Sequence, residues 1–341
     1  TIIQQIGLFV GGDYGNLIYM IGKVAAGLTG AGIGVGVARK LEAQQLVTVS
    51  AAVAGMIGAF ASKLLAGQLI VDGNLVLASS ILAGKVFVDG AMVFAGPGEP
   101  LGAFIAAYLA IEIGILVTGK TKLDIILTPL VCIGTGSVVG LVAGPPISKF
   151  MAWLGSLINW GTEQQPFLMG IVVSVLMGIF LTLPISSAAI GVILNLSGLA
   201  AGAATVGCCC NMIGFAVASY RENKLGGFVA QGIGTSMLQM PNIIRHPQIW
   251  IPPILSSAIL GPVSTMLLHM TNNATGSGMG TAGLVGPLMT WQVMTASEDP
   301  MIVLVKMITI QFVLPAVVTL GISELMRKKK WIHPGDMKLE L

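Results

Sequence analysis

The sequence is a chain of apolar runs, near 17–38, 43–60, 74–95, 101–118, 125–144, 166–184, 186–219, 226–240, 249–270, 279–293 and 301–326, with few ionic side chains inside them. A helix needs about 20 apolar residues to cross a bilayer, and several of these runs are shorter. Backbone inside lipid must satisfy its own hydrogen bonds, so the short runs predict re-entrant or broken helices that meet within the membrane. Only 9% of residues are charged, against roughly 25% in a soluble domain. The 17 basic and 14 acidic side chains cannot cover 341 residues in water. The runs are continuous, not alternating, which excludes a β-barrel. The expected fold class is therefore an all-α polytopic membrane protein of about ten transmembrane helices with re-entrant or broken elements. Residues 1–341 are expected to form one membrane-embedded domain, with the lipid bilayer as its surroundings. The 46 glycines favour close helix packing.

Isolated charges predict the orientation. Arg39-Lys40, Lys120 and Lys122, Arg221 and Lys224, and the Arg327-Lys328-Lys329-Lys330 cluster read as cytoplasmic. Glu163 and Glu298-Asp299 lie in loops without a basic residue and read as external, which puts the C-terminus inside. The stretch 147–160 reads as an amphipathic, interfacial segment. No cleavable signal peptide is expected, and the net charge of +3 gives no reason to expect nucleic acid.

Two nucleotide-binding patterns occur in the wrong context. "GILVTGKT" (114–121) matches a phosphate-loop pattern, but Ile-Leu-Val-Thr at the end of an apolar helix lacks the strand-to-helix turn that cradles phosphate. "GMGTAG" (278–283) has no βαβ unit around it. Cys208, Cys209 and Cys210 are consecutive, so on a helix they point about 100° apart and cannot close a tetrahedral metal site. They read as small packing residues. No metal and no cofactor are expected.

Polar groups within apolar sequence are the functional candidates, because an ionised side chain at the bilayer centre costs about 2.5–3.5 kcal/mol on insertion scales. Lys85 and Asp89 are one helical turn apart and read as an ion pair, while Lys23 and Lys306 read as snorkelling from segment ends. Glu99, in "FAGPGEPLGAF", differs: Pro100 disfavours helix at position 99, and Gly96 and Gly98 free the chain to turn. It is either an interfacial loop acid or a carboxylate accepting hydrogen bonds from sugar hydroxyls. Three further stretches place amides and hydroxyls in an apolar frame: 181–204 with Asn195 and Ser197, 230–250 with Gln239, Asn242, Arg245 and His246, and 267–283 with Asn272 and Asn273. Groups that both donate and accept suit a neutral polyhydroxylated solute better than a metal or an inorganic anion. His246 is either a loop residue or a partner for a reacting hydroxyl.

At "GPGEPLGAF", "LPISSAAI", "NLSGLAAGAA" and "AQGIGTSMLQMPNIIRHP" the chain resembles the membrane-embedded enzyme IIC components of the bacterial sugar phosphotransferase system, and among them the stand-alone, PfoR-like branch. The resemblance implies a homodimer in the bacterial cytoplasmic (inner) membrane that holds a sugar or polyol between broken helices and moves it inward. It further implies Glu99 and His246 as the candidates for contact with the sugar where a phosphorylated enzyme IIB approaches. Asn195, Ser197, Gln239, Asn242, Asn272 and Asn273 would supply neutral hydrogen bonds. No phosphoacceptor domain is visible in this sequence, so phosphate would come from a separate partner. Two other readings keep the same fold: an ion-coupled secondary transporter, with Glu99 or Asp89 carrying a proton, and a membrane sugar sensor without transport.

Overall fold

A computed structural model describes residues 2–65, 68–71, 74–77, 91–92 and 98–339. Two compact units divide the chain, Ile3–Ala152 and Trp153–Leu341. Both are helical. Five helices are long and apolar enough to cross a membrane: Pro100–Val117, Asp124–Ile147, Gly198–Ala218, Pro247–Leu267 and Pro300–Lys328. A sixth span arises if Gly12–Gly27 and Thr29–Lys40, bent by 47°, count as one. Gln45–Ala59 and Pro166–Thr182 are shorter apolar helices. Length and composition thus support five or six spans with broken helices among the described residues, fewer than the ten expected from the apolar runs.

Small side chains hold the first unit together. Gln45–Ala59 packs against Thr29–Lys40 and Pro100–Val117, around a core of Ala38, Val47, Ala51, Ala54, Ala107, Ala110, Ile111 and Cys132. Alanine brings backbones close without costing side-chain entropy, which substitutes for bulk where lipid supplies no hydrophobic drive. A close approach beside Glu99 is at Gly58 and Gly102. A Cβ on either would run into the carbonyl oxygen of the other. This contact fixes the first turn of the helix that Glu99 precedes.

The run 74–95 departs from expectation. Its described parts are extended: Asn74–Leu77 and Ala91–Met92 flank Gln68–Val71 in a three-stranded antiparallel sheet, with Leu69 opposite both Val76 and Met92. Lys85 and Asp89 lie outside the described residues. Leu75, Val76 and Leu77 are as compatible with a strand as with a helix, and periodicity cannot separate the two in so short a run. The stretch 147–160 is continuous helix with the span before it, inside Asp124–Thr162, despite Pro129, Pro145 and Pro146.

In the second unit Gly198–Ala218 is the central helix, buried along nearly its whole length. It packs against Pro166–Thr182, Ile251–Pro262 and Leu314–Lys328. Its Gly, Ala and Cys side chains admit this crowding, and Gly207 lies on the carbonyl of Ser174, where a Cβ would collide. Cys208, Cys209 and Cys210 are fully buried within it, as expected of packing residues. Three π-helical stretches, Ala230–Gly234, Val263–Leu267 and Ile308–Val313, interrupt the helices of this unit. Asp299 caps Pro300–Met307, its Oδ1 accepting from the amide of Met301 at 2.8 Å. Lys306 Nζ pairs with Oε2 of Glu298, the residue before the cap, at 2.7 Å. Lys23 lies 5.3 Å from the ring centroid of Tyr19.

A Gly58→Val substitution tests the close approach. Overpacking of this kind costs about 1–3 kcal/mol, so thermal unfolding of the protein in detergent should shift downward. Gly32→Val, at a position with open space around it, should shift it far less.

Candidate functional site

Glu99 stands immediately before Pro100–Val117, with Pro100 as the first helical residue. Gly98 reaches φ 69°, a left-handed conformation that a side chain would strain. The turn delivers the Glu99 amide to the carbonyl of Ala59 at 2.8 Å. The side chain makes no capping bond. Its Oε2 is enclosed and has no hydrogen-bond partner among the described residues. A void of about 10 Å³ adjoins it, bordered by Gly58, Ala59, Ser62, Gly102 and Gly144. One water needs roughly 10–15 Å³ of such space, so the void admits a single water and no sugar.

Asn195 and Ser197 belong to a larger space. They flank an open cavity of about 480 Å³, within the usual 300–1,000 Å³ range of small-molecule sites, together with Asn159, Thr162 and Gln164. Asn195 adopts φ 48°, a conformation that asparagine tolerates better than most residues. It ends the short helix Ser187–Ile193 with its amide exposed, and Ser197 precedes the central helix without capping it. Among the described residues neither side chain has a hydrogen-bond partner, which leaves both open to a solute.

Asn272 and Asn273 are committed to the fold. The 181–204 and 267–283 stretches come together as two interrupted segments, joined by the Ser187 hydroxyl donating to the carbonyl of Gly278 at 2.7 Å. The Asn272 amide donates to the carbonyl of Gly198 at 3.2 Å. The side-chain nitrogen of Asn272 reaches Thr205 Oγ1 at 2.7 Å, Thr290 Oγ1 at 3.0 Å and the Gly286 carbonyl at 3.2 Å. Its two hydrogens thus meet three acceptors, and the residue is 1% exposed. Asn273 caps Ala274–Ser277 through the amide of Gly276 at 3.0 Å.

Gln239, Asn242 and His246 face the C-terminal tail. Gln231 Nε2 donates to Ser219 Oγ at 2.9 Å, and Gln231 Oε1 accepts from Gln239 Nε2 at 2.8 Å. Gln239 Oε1 accepts from Asn242 Nδ2 at 2.9 Å. In this amide relay Gln231 Nε2 also donates to the Gly227 carbonyl at 3.0 Å, while Gln239 and Asn242 donate to main-chain carbonyls of the tail, at Met337 (3.1 Å) and Lys338 (2.9 Å). From the other side Glu222 accepts from the Met337 amide at 2.9 Å, and Asn223 both donates to the Met337 carbonyl and accepts from the Leu339 amide at 2.8 Å. Arg327 holds Glu222 at 3.0 Å. His246 ends Met240–Arg245, and its Nδ1 lies 3.7 Å from Asp336 Oδ1.

Several of these residues escape a search for polar groups in apolar runs. Glu222, Asn223 and Asp336 lie in charged stretches, where solvation is the ordinary outcome. The available signal is "HPGD", a turn that brings the chain back, with Gly335 at φ 99°. Asn211 was also missed. It sits on the central helix after the cysteines, where its Oδ1 accepts from Trp250 Nε1 at 3.1 Å and from Thr182 Oγ1 at 3.2 Å. One amide within a 21-residue apolar helix was the readable sign. The phosphate-loop and dinucleotide patterns stay unsupported: Gly114 lies in helix and 278–283 lies in the second interrupted segment.

The double variant Gln239→Ala/Asn242→Ala removes two side-chain bonds to the tail, each worth about 0.5–1.5 kcal/mol. Amide exchange at Met337 and Leu339 should accelerate, while exchange in Gly198–Ala218 should stay slow. Equal protection of the tail in both proteins would contradict the relay.

No curated protein and no solved structure matches the chain. The sequence profile described as Phosphotransferase system, EIIC matches residues 1–339. With apolar helices of spanning length and interrupted segments in place, the chain belongs to that family and is a multi-pass membrane component of a sugar phosphotransferase system.

Proposed function

We propose that this EIIC component takes up a sugar or polyol through the cavity at Asn195 and Ser197 and passes it inward for phosphorylation by a separate enzyme IIB protein. The cavity carries the reading. It has the volume of a small-molecule site, and its amides and hydroxyls are uncharged groups able to match a polyhydroxylated solute in both directions. Thr162 and Gln164 on its rim flank Glu163, in the loop that the charge distribution reads as external.

His246 belongs to the opposite end of the proposed pathway. It is paired with a tail that follows the basic cluster at 327–330, which the same rule reads as cytoplasmic. Phosphoryl transfer depends mainly on positioning and charge stabilisation, and an imidazole beside the acceptor hydroxyl provides a proton acceptor. Glu99 remains a candidate through the resemblance and through its enclosed, unpartnered oxygen. In the described conformation its void has room for one water, so contact with a sugar requires the neighbouring helices to part. Gln239, Asn242, Asn272 and Asn273 serve this function through the fold, by holding the tail and the interrupted segments. The resemblance adds a homodimer, and the charge distribution a cytoplasmic C-terminus.

The reading is tested by thermal-shift titration of the purified protein with a panel of hexoses, pentitols and disaccharides. One class should raise the unfolding temperature, and Asn195→Ala should lower affinity for it about 5–20-fold, the loss of one or two hydrogen bonds at about 0.5–1.5 kcal/mol each. Glu99→Gln should weaken or abolish the same shift. A ligand bound equally well by Asn195→Ala would remove the cavity from the pathway.

A further inference from the structure

Asp336 is the tail's acidic residue at the His246 side chain, and every bond around it limits its movement. The Asp336 side chain is 9% exposed. Its Oδ2 accepts from the His333 amide at 2.8 Å, closing the turn through Pro334 and Gly335. That leaves Oδ1 toward His246 Nδ1 at 3.7 Å. His333 Nδ1 lies 3.8 Å from Oδ2, with its own side chain 64% exposed. On either side of Asp336 the tail is pinned. Ile332 and Met337 are buried with Phe215, Ile243, Ile249 and Met326, and the main chain at 337–339 is fastened by Glu222, Asn223, Gln239 and Asn242. His246 is held from its own backbone as well, its amide donating to the Asn242 carbonyl at 2.7 Å.

A pinned carboxylate at one ring nitrogen determines which nitrogen of a neutral imidazole carries the proton. With hydrogen on Nδ1, the other nitrogen keeps its lone pair and acts as an acceptor. The His246 side chain remains 41% exposed, so the ring is open to a second partner. A gap of 3.7 Å is longer than a finished hydrogen bond, and pairs of this kind often tighten only when a substrate is bound. We propose that Asp336 is a positioning residue for His246, fixing the Nδ1–H tautomer so that Nε2 faces an incoming hydroxyl as an acceptor. The proposal rests on the reading of His246 as the residue that meets the sugar hydroxyl. The amide relay and the Glu222–Arg327 pair then have a role in the chemistry, because they keep the tail in register with His246.

The test uses the full chain in detergent with ¹⁵N-labelled histidine, which is tractable because the protein has 3 histidines. His246→Gln assigns the His246 signal by its loss. In the wild type the neutral His246 ring should show a protonated Nδ1 and an unprotonated Nε2. Asp336→Asn keeps an acceptor for the His333 amide and should return His246 to the Nε2–H form or to a mixture. His333→Gln should leave the His246 signal unchanged. An Nε2–H tautomer in the wild type overturns the proposal without recourse to any Asp336 variant. So does an Asp336→Asn protein whose His246 signal is unaltered. If the tautomer is as expected but His246→Gln takes up sugar at the wild-type rate, the pairing stands and its positioning role is overturned, an outcome distinct from loss of sugar binding at Asn195.

Discussion

Lipid offers no hydrogen bonds, so every polar group carried into the membrane must find its partner within the protein or line a space that holds water or solute. The structure depends on this constraint twice. Helices approach closely enough to exclude lipid because glycine, alanine and cysteine occupy their contacts, with Gly207 against Ser174 and Gly202 against Met270 as the tightest cases. Interior amides and hydroxyls then bond to one another. Asn211 joins Thr182 to Trp250, and Asn272 joins Thr205 to Thr290.

Polar groups that escape this pairing are accordingly informative. Asn195 and Ser197 stand where a helix is interrupted, beside a cavity, with their side chains uncommitted. Asn272 and Asn273 stand at the second interruption, where Asn272 bonds Thr205 of the central helix and Asn273 caps its own short helix. The two segments therefore divide the labour, one fastening the junction and the other offering groups to a solute. Glu99 is intermediate, fixed in its backbone and without a partner at Oε2 among the described residues.

The helical membrane class, the broken elements and the packing role of the cysteines were legible in the sequence, since each follows from local composition. Asn195 and Ser197 were legible as polar groups in apolar sequence, but so were Asn272, Gln239 and Asn242, and nothing local separates a ligand contact from a structural bond. That difference is tertiary: it depends on whether Thr205 and Thr290, or the carbonyls of Met337 and Lys338, arrive to accept. The strands at Asn74–Leu77 and Ala91–Met92 were hidden because a short apolar run has no decisive period. The tail was hidden for another reason. A basic stretch near a chain end ordinarily stays in solvent, and the bonds that fasten this one come from residues about 100 positions earlier in the sequence.

Accessibility in the presence of sugar measures most directly whether the cavity at Asn195, and not the amide relay, receives the solute. All four native cysteines are buried, which keeps the background low for labelling introduced cysteines with a hydrophilic maleimide. The sugar found to stabilise the protein should slow labelling of Asn195→Cys and leave the rate at Arg245→Cys, exposed beside the relay, unaltered. Protection at Arg245→Cys with none at Asn195→Cys would place the solute at the tail and contradict the account.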